Sequence, residues 1–318
     1  MSASMIGIQF APSMVIDPTG KTKMNNLATH LLNSARRFPS HLAVRQGRQP
    51  WTYADLEERS SRVAGGLLAH GIRPGDRVAV VVNNVPAFAS LYYGALRIGA
   101  VAVLLDPNLG PETIRHRVEL TGPRVVFAAE EGFGPIAPAV TSPRRLCVPV
   151  GPGFMDQVVL WPRCPTLTHH RGDEPAVVLW PSAATVGGGD EDFLELGHRT
   201  LATAALRAVS DILFLAPGDT LVTTTPIHGL VGQTCGLNAT VLAGAGIVRT
   251  VSPLGSNGVS MEIHRSRGRT GVSAPAVAPS GGKGSPGRGR PLRRPASVPQ
   301  RFGGVGGRRP AQGHRGVR

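Results

Sequence analysis

The sequence predicts an α/β fold, a mostly parallel sheet with flanking helices. Two observations predict it. Unbroken apolar runs such as Val78–Val82 suit strands buried on both faces of a parallel sheet. Between these runs lie stretches whose apolar residues recur at helical spacing, and such alternation implies βαβ units with right-handed crossovers.

Residues 1–24 read as an irregular leader. From Asn26 to Phe38, Leu27, Leu31, Leu32 and Ala35 recur at helical spacing. Leu42–Tyr53 reads as a short hairpin turning near Gly47. Thr52 is the expected N-cap of the next helix, with Asp55 as the acid of a capping box. Its buried stripe is Leu56, Val63, Leu67 and Leu68, and Gly71 stops it. Pro74-Gly75-Asp76 then turns the chain into the Val78–Val82 strand, and Pro86 opens another helix. A strand at Val101–Pro107, a helix starting near Gly110 and a strand at Arg124–Ala129 follow. Residues 131–172, rich in Pro and Gly, predict a connection with one or two short strands. Val177–Trp180 predicts a strand, followed by a Ser/Thr/Gly loop and a helix. Asp219–Pro226 reads as a strand, Gly229–Gly246 as a small-residue helix and Gly246–Val251 as a last strand.

The net charge of +14 is not spread evenly over the 318 residues. Residues 263–318 hold 13 Lys+Arg and no Asp or Glu, so the remainder is nearly neutral. With 13 Gly, 7 Pro and Phe302 as sole aromatic, that segment cannot bury enough apolar surface to order itself. It has two readings: an Arg/Gly-rich nucleic-acid binder, or the product of a shifted reading frame in GC-rich coding DNA. The lack of aromatic interleaving favours the second, so nucleic acid is not the expected partner. Cys147, Cys164 and Cys235 match no zinc or disulfide spacing, which predicts a reduced, cytoplasmic setting. No apolar run approaches the roughly 18 residues of a membrane span, and no signal peptide is recognisable.

The segment from Trp51 to Phe127, "WTYADLEERSSRVAGGLLAHGIRPGDRVAVVVNNVPAFASLYYGALRIGAVAVLLDPNLGPETIRHRVELTGPRVVF", resembles the N-terminal part of the adenylate-forming (AMP-binding) superfamily, most closely acyl-CoA synthetases and fatty-acid–CoA ligases. A second block, Pro217–Val248, resembles the family's segment in which a proline- and histidine-containing turn precedes a helix behind the active site. Here the turn is Pro226-Ile227-His228-Gly229. The resemblance implies an incomplete AMP-binding-like α/β domain at 25–251, preceded by the leader at 1–24 and followed by a basic, disordered tail at 252–318. It also implies ATP, Mg²⁺ and coenzyme A as cofactors, and a carboxylic acid substrate turned into acyl-adenylate and then acyl-CoA.

Between the two blocks the family carries a Ser/Thr/Gly-rich phosphate loop ending in Pro-Lys-Gly. Ser182, Thr185, Gly187 and Gly188 stand there, which makes them the candidate nucleotide-binding residues. The Pro-Lys pair is missing, and Asp190, Glu191 and Asp192 follow instead. Each carboxylate costs on the order of 3 kcal/mol beside a phosphate charge at about 6 Å and an effective dielectric near 20. The bland alternative is a solvated acidic loop. His228 is the candidate pocket residue; the alternative is a strand-end histidine held by backbone hydrogen bonds. His198 is expected to be structural, His169-His170 to hold no metal, and Asp173-Glu174 to lie on a solvated turn. Three later family features have no counterpart in 252–318: the aromatic-Gly-x-Thr-Glu segment, the ribose-binding Asp and the catalytic-lysine domain. The expectation is therefore no catalytic residue and little or no complete activity. A non-catalytic module that binds an acyl group or nucleotide, or pairs with a homologous or complementing chain, stands as the alternative.

Overall fold

A computed structural model describes residues 26–250 except Arg48, Asn84, 182–191 and parts of 131–144 and 170–171. It also describes the backbone of three short strands, β1 (Val15–Ile16), β2 (Thr22–Lys23) and β13 (Thr270–Val272). The chain divides into two units, Met1–Pro275 and Ala276–Arg318. The second lies outside the described residues, as does the rest of the stretch expected to be a disordered tail.

Two large sheets stand where the sequence predicts one, and β1 pairs antiparallel with β2 within the stretch expected to be an irregular leader. The first has six strands in the order β10-β9-β6-β5-β7-β8. These are β5 (Arg77–Val81), β6 (Val101–Leu104), β7 (Val125–Ala129), β8 (Leu146–Val150), β9 (Pro175–Leu179) and β10 (Leu194–Gly197). All pairs are parallel except β10 with β9. Its central strands alternate between two cores. Val78, Val80, Ala102, Leu104, Val125 and Phe127 face one core, while Ala79, Val81, Val103 and Val126 face the other. Both faces are therefore apolar, which is why these strands read as continuous hydrophobic runs.

The second sheet has five strands in the order β13-β11-β12-β3-β4. Its members are β3 (Leu42–Gln46), β4 (Gln49–Thr52), β11 (Thr220–Thr223), β12 (Gly246–Arg249) and β13. Only β4 runs antiparallel to its neighbour. The β3–β4 hairpin turns at Gly47, whose φ of 69° suits glycine. β13 falls beyond Val251, where the sequence offers no alternation to read.

Helices α2 (Tyr53–Ala69) and α3 (Val85–Arg97) supply the core that both sheets share, together with α1 (Ala28–Arg37). The expected capping box closes α2. Thr52 Oγ1 accepts from the Asp55 amide at 3.2 Å, and Asp55 Oδ2 accepts from the Thr52 amide at 2.9 Å. Gly94 lets α3 approach α2 closely; a Cβ there would lie 2.5 Å from Val63 Cγ1. Arg97, with a side chain 2% exposed, pairs with Glu57 at 2.7 Å and ties the two helices together. On the outer face of the first sheet, α4 (Pro111–Thr121) packs Ile114 and Val118.

Three further elements differ from expectation. The 131–172 connection holds a short strand, β8, as expected, but adds a short helix, α5 (Phe154–Val158). β10 precedes α6 (His198–Arg207), where the sequence predicts helix directly after the loop. The small-residue helix is π-helical over Gly232–Asn238 before continuing as α7 (Ala239–Ala243). Another π-helical stretch, Ala208–Leu213, extends α6. Among the described residues no helix is long and apolar enough to cross a membrane.

Candidate functional site

In open α/β sheets, ligands bind beyond the carboxyl ends of the strands. Here the ends of both sheets meet. Asp106 follows β6 of the first sheet, and His228 lies in the turn after β11 of the second; His228 Nε2 and Asp106 Oδ2 are 3.5 Å apart. Arg249 ends β12, and its Nη1 donates to the carbonyl of Asn83, just past β5, at 2.7 Å. Gln46 ends β3 opposite Arg249 in the register. Its Oε1 accepts from the Val85 amide at 2.8 Å and so caps the start of α3.

Each polar atom of Asp106 is accounted for. Oδ1 accepts from the Asn108 amide at 2.9 Å and from Asn108 Nδ2 at 2.8 Å, while Oδ2 faces His228. Partial burial alone pushes the carboxyl up, but the hydrogen bonds and charge of His228 and the bonds from Asn108 outweigh it. They hold Asp106 at about 2, so it is ionised. Burial lowers the Arg249 guanidinium from its ordinary value, and the Asp106 charge opposes that shift. Several buried polar atoms at these strand ends have no partner among the described residues: Asn83 Oδ1, Thr225 Oγ1, His228 Nδ1 and Arg249 Nε. Buried polar groups are ordinarily paired, so this mouth is suited to a polar ligand.

Behind it, a buried network fixes the π-helical segment to α3. Gln233 Nε2 donates to Tyr92 Oη, Asn238 Nδ2 donates to the same oxygen at 3.2 Å, and Tyr93 Oη donates to Asn238 Oδ1 at 3.0 Å. π-Helical turns recur at functional sites.

The structure thus places His228 at the strand-end mouth. Ser182, Thr185, Gly187 and Gly188 lie outside the described residues. The stems of their loop are described. Trp180 and Phe193 pack with ring centroids 5.7 Å apart, so the loop begins and ends at one point. His198 is fully buried at the start of α6, where its Nδ1 accepts from the Leu27 amide at 3.1 Å, a structural role. Asp173 pairs with Arg199 at 3.3 Å, and Glu174 accepts from the Gly172 amide at 2.9 Å. No group of three or more His, Cys, Asp or Glu suited to a metal occurs among the described residues. Asp106, Arg249 and Asn83 were not singled out by the sequence reading. Their signal is slight: an acid just past an apolar run, and one charge inside "GIVRTV".

The sequence that builds most of this scaffold, residues 31–178, matches the family described as AMP-binding enzyme. Over this N-terminal part the chain resembles the AMP-binding enzymes, and acyl-CoA ligases are among the relatives it matches. It is 39% identical over 117 residues to a feruloyl-CoA synthase of an Amycolatopsis species, covering 37% of this chain and 24% of that protein. It is 26% identical over 251 residues to the 3-hydroxybenzoate–CoA ligase of an Aromatoleum species, covering 73% of this chain and 47% of that protein. The N-terminal domain of FACL13 from Mycobacterium tuberculosis superposes with a TM-score of 0.67 at 20% identity, over 77% of this chain and 62% of that one. The chain therefore spans about a quarter to a half of the length of these curated relatives.

Proposed function

We propose that the protein binds a carboxylic acid at the Asp106–His228–Arg249 mouth, as a relative of acyl-CoA ligases with little or no complete adenylating activity. The observation that carries the second half is the chemistry of the loop between Trp180 and Phe193. It contains no Lys or Arg and ends in Asp190, Glu191 and Asp192. Adenylyl transfer requires groups that stabilise negative charge as it develops. Three carboxylates do the reverse, so the donor set does not fit a triphosphate, and no step through ATP is derived. Carboxylates alone can ligate Mg²⁺, but they supply none of the cation contacts a phosphate chain needs.

The test is acid-dependent exchange of pyrophosphate into ATP with the purified full-length chain, offered 3-hydroxybenzoate, ferulate and a fatty acid. Exchange at background level is the expected result. Robust exchange with any of the three sinks the inactivity claim.

A second reading rests on the 13 Lys+Arg and absent acids of residues 263–318. If this segment binds nucleic acid, removing it abolishes salt-sensitive retention on DNA or RNA; unchanged retention dismisses the reading.

A further inference from the structure

We propose that Asp106 is the positioning residue of the acid pocket. It holds His228 as the tautomer protonated on Nε2, and so keeps Nδ1 as a hydrogen-bond acceptor for a hydroxyl on the bound acid. The proposal rests on the acid-binding reading above and adds a substrate class to it.

The argument starts from the carboxylate. Asp106 Oδ1 is occupied twice over by Asn108, which leaves Oδ2 turned to His228 Nε2 at 3.5 Å. An ionised carboxylate only accepts hydrogen bonds. The nitrogen facing it must therefore carry the proton. In a neutral imidazole the other nitrogen then carries a lone pair and no hydrogen. That other nitrogen, Nδ1, is buried and has no partner among the described residues, and the His228 side chain is only 12% exposed. A carboxylate or phosphate oxygen has no proton to give such an acceptor, whereas a hydroxyl has. Arg249 does not compete for the imidazole. Its Nη1 is engaged by the Asn83 carbonyl.

The experiment is long-range ¹H–¹⁵N correlation of the imidazole nitrogens in the full-length chain labelled at histidine. The spectrum of a His228→Gln variant identifies the residue among the ten histidines. At pH 8 the expected wild-type pattern is a pyrrole-type Nε2 and a pyridine-type Nδ1. In Asp106→Asn both nitrogens are expected to move towards averaged positions. A wild-type His228 protonated on Nδ1 overturns the proposal, even if the variant does not fold. So does a folded Asp106→Asn protein with the wild-type pattern. A second arm adds 3-hydroxybenzoate or benzoate to the wild-type protein. Movement of the Nδ1 resonance by the hydroxylated acid alone supports the acceptor role, and equal movement by both overturns it. If neither acid moves any His228 resonance, the acid-binding reading fails, and with it the assigned ligand, while the tautomer is still judged by the first arm.

Discussion

His30 and Asp106 both act on the acid side of the stability curve. His30 is fully buried on α1, and burial lowers it to about 4. Between the ordinary histidine value of 6.5 and about 4, the unfolded chain takes up a proton that the folded chain refuses. Stability is therefore complete above pH 6.5 and falls as pH drops to 4, by on the order of 3 kcal/mol. His30→Gln is expected to flatten this limb in urea titrations across that range. Asp106 acts lower down. Its folded value of about 2 lies below the ordinary 3.8, so its contribution is intact above pH 3.8 and lost as pH falls towards 2. Its side chain is 35% exposed, and solvent screening reduces the contribution to about 1 kcal/mol. The gap between wild type and Asp106→Asn should close between pH 4 and 2; a gap independent of pH there would contradict the ion-pair account. His228 was named as a candidate through the family resemblance of the turn that carries it. Asp106 and Arg249 were not named, because only the meeting of the ends of two different sheets brings them to His228 and Asn83.

At the level of elements, the best-read features were those whose causes lie within a few residues. The capping box of α2 is one. Thr52→Ala removes the acceptor for the Asp55 amide and should cost about 1 kcal/mol, measured by chemical denaturation. The Gly47 turn and the valine runs of β5 and β7 are others. Elements fixed by distant partners were missed. β10 exists because it pairs with β9 across the loop that joins them, with Leu194 opposite Leu179. The π-helical segment is held through Gln233 and Asn238 to Tyr92 and Tyr93 on α3, more than 140 positions away. The α2–α3 crossing gives a sharper prediction. Gly94→Ala places a methyl against Val63 and the Ser60 carbonyl. That overpacking should cost 1–3 kcal/mol. A Val63→Ala background should recover part of the loss, since removing Cγ1 makes room.

On the scale of the whole molecule, the α/β class was legible, and its division into two sheets was not. Hydropathy reports that a strand is buried on both faces, but not which strands share a sheet. The shared core explains how the sheets cohere. Tyr53 on α2 donates to the carbonyls of Thr240 and Ala245, at 3.0 and 2.7 Å, while Asn26 donates to the carbonyls of Leu96 and Thr168. Amides of β3 and β12 are accordingly expected to exchange with deuterium at one common rate, set by global unfolding. Faster exchange confined to β12 would mean that the second sheet opens alone.

The pairing of β3 with β12, Val44 beside Ile247, has a consequence for biosynthesis. The hairpin strand leaves the ribosome long before its neighbour is made. At 5–20 residues per second the intervening two hundred or so residues take roughly 10–40 s. During that interval its free edge is a template for any extended segment nearby, and chaperone occupancy of nascent chains should peak just before Gly246 emerges.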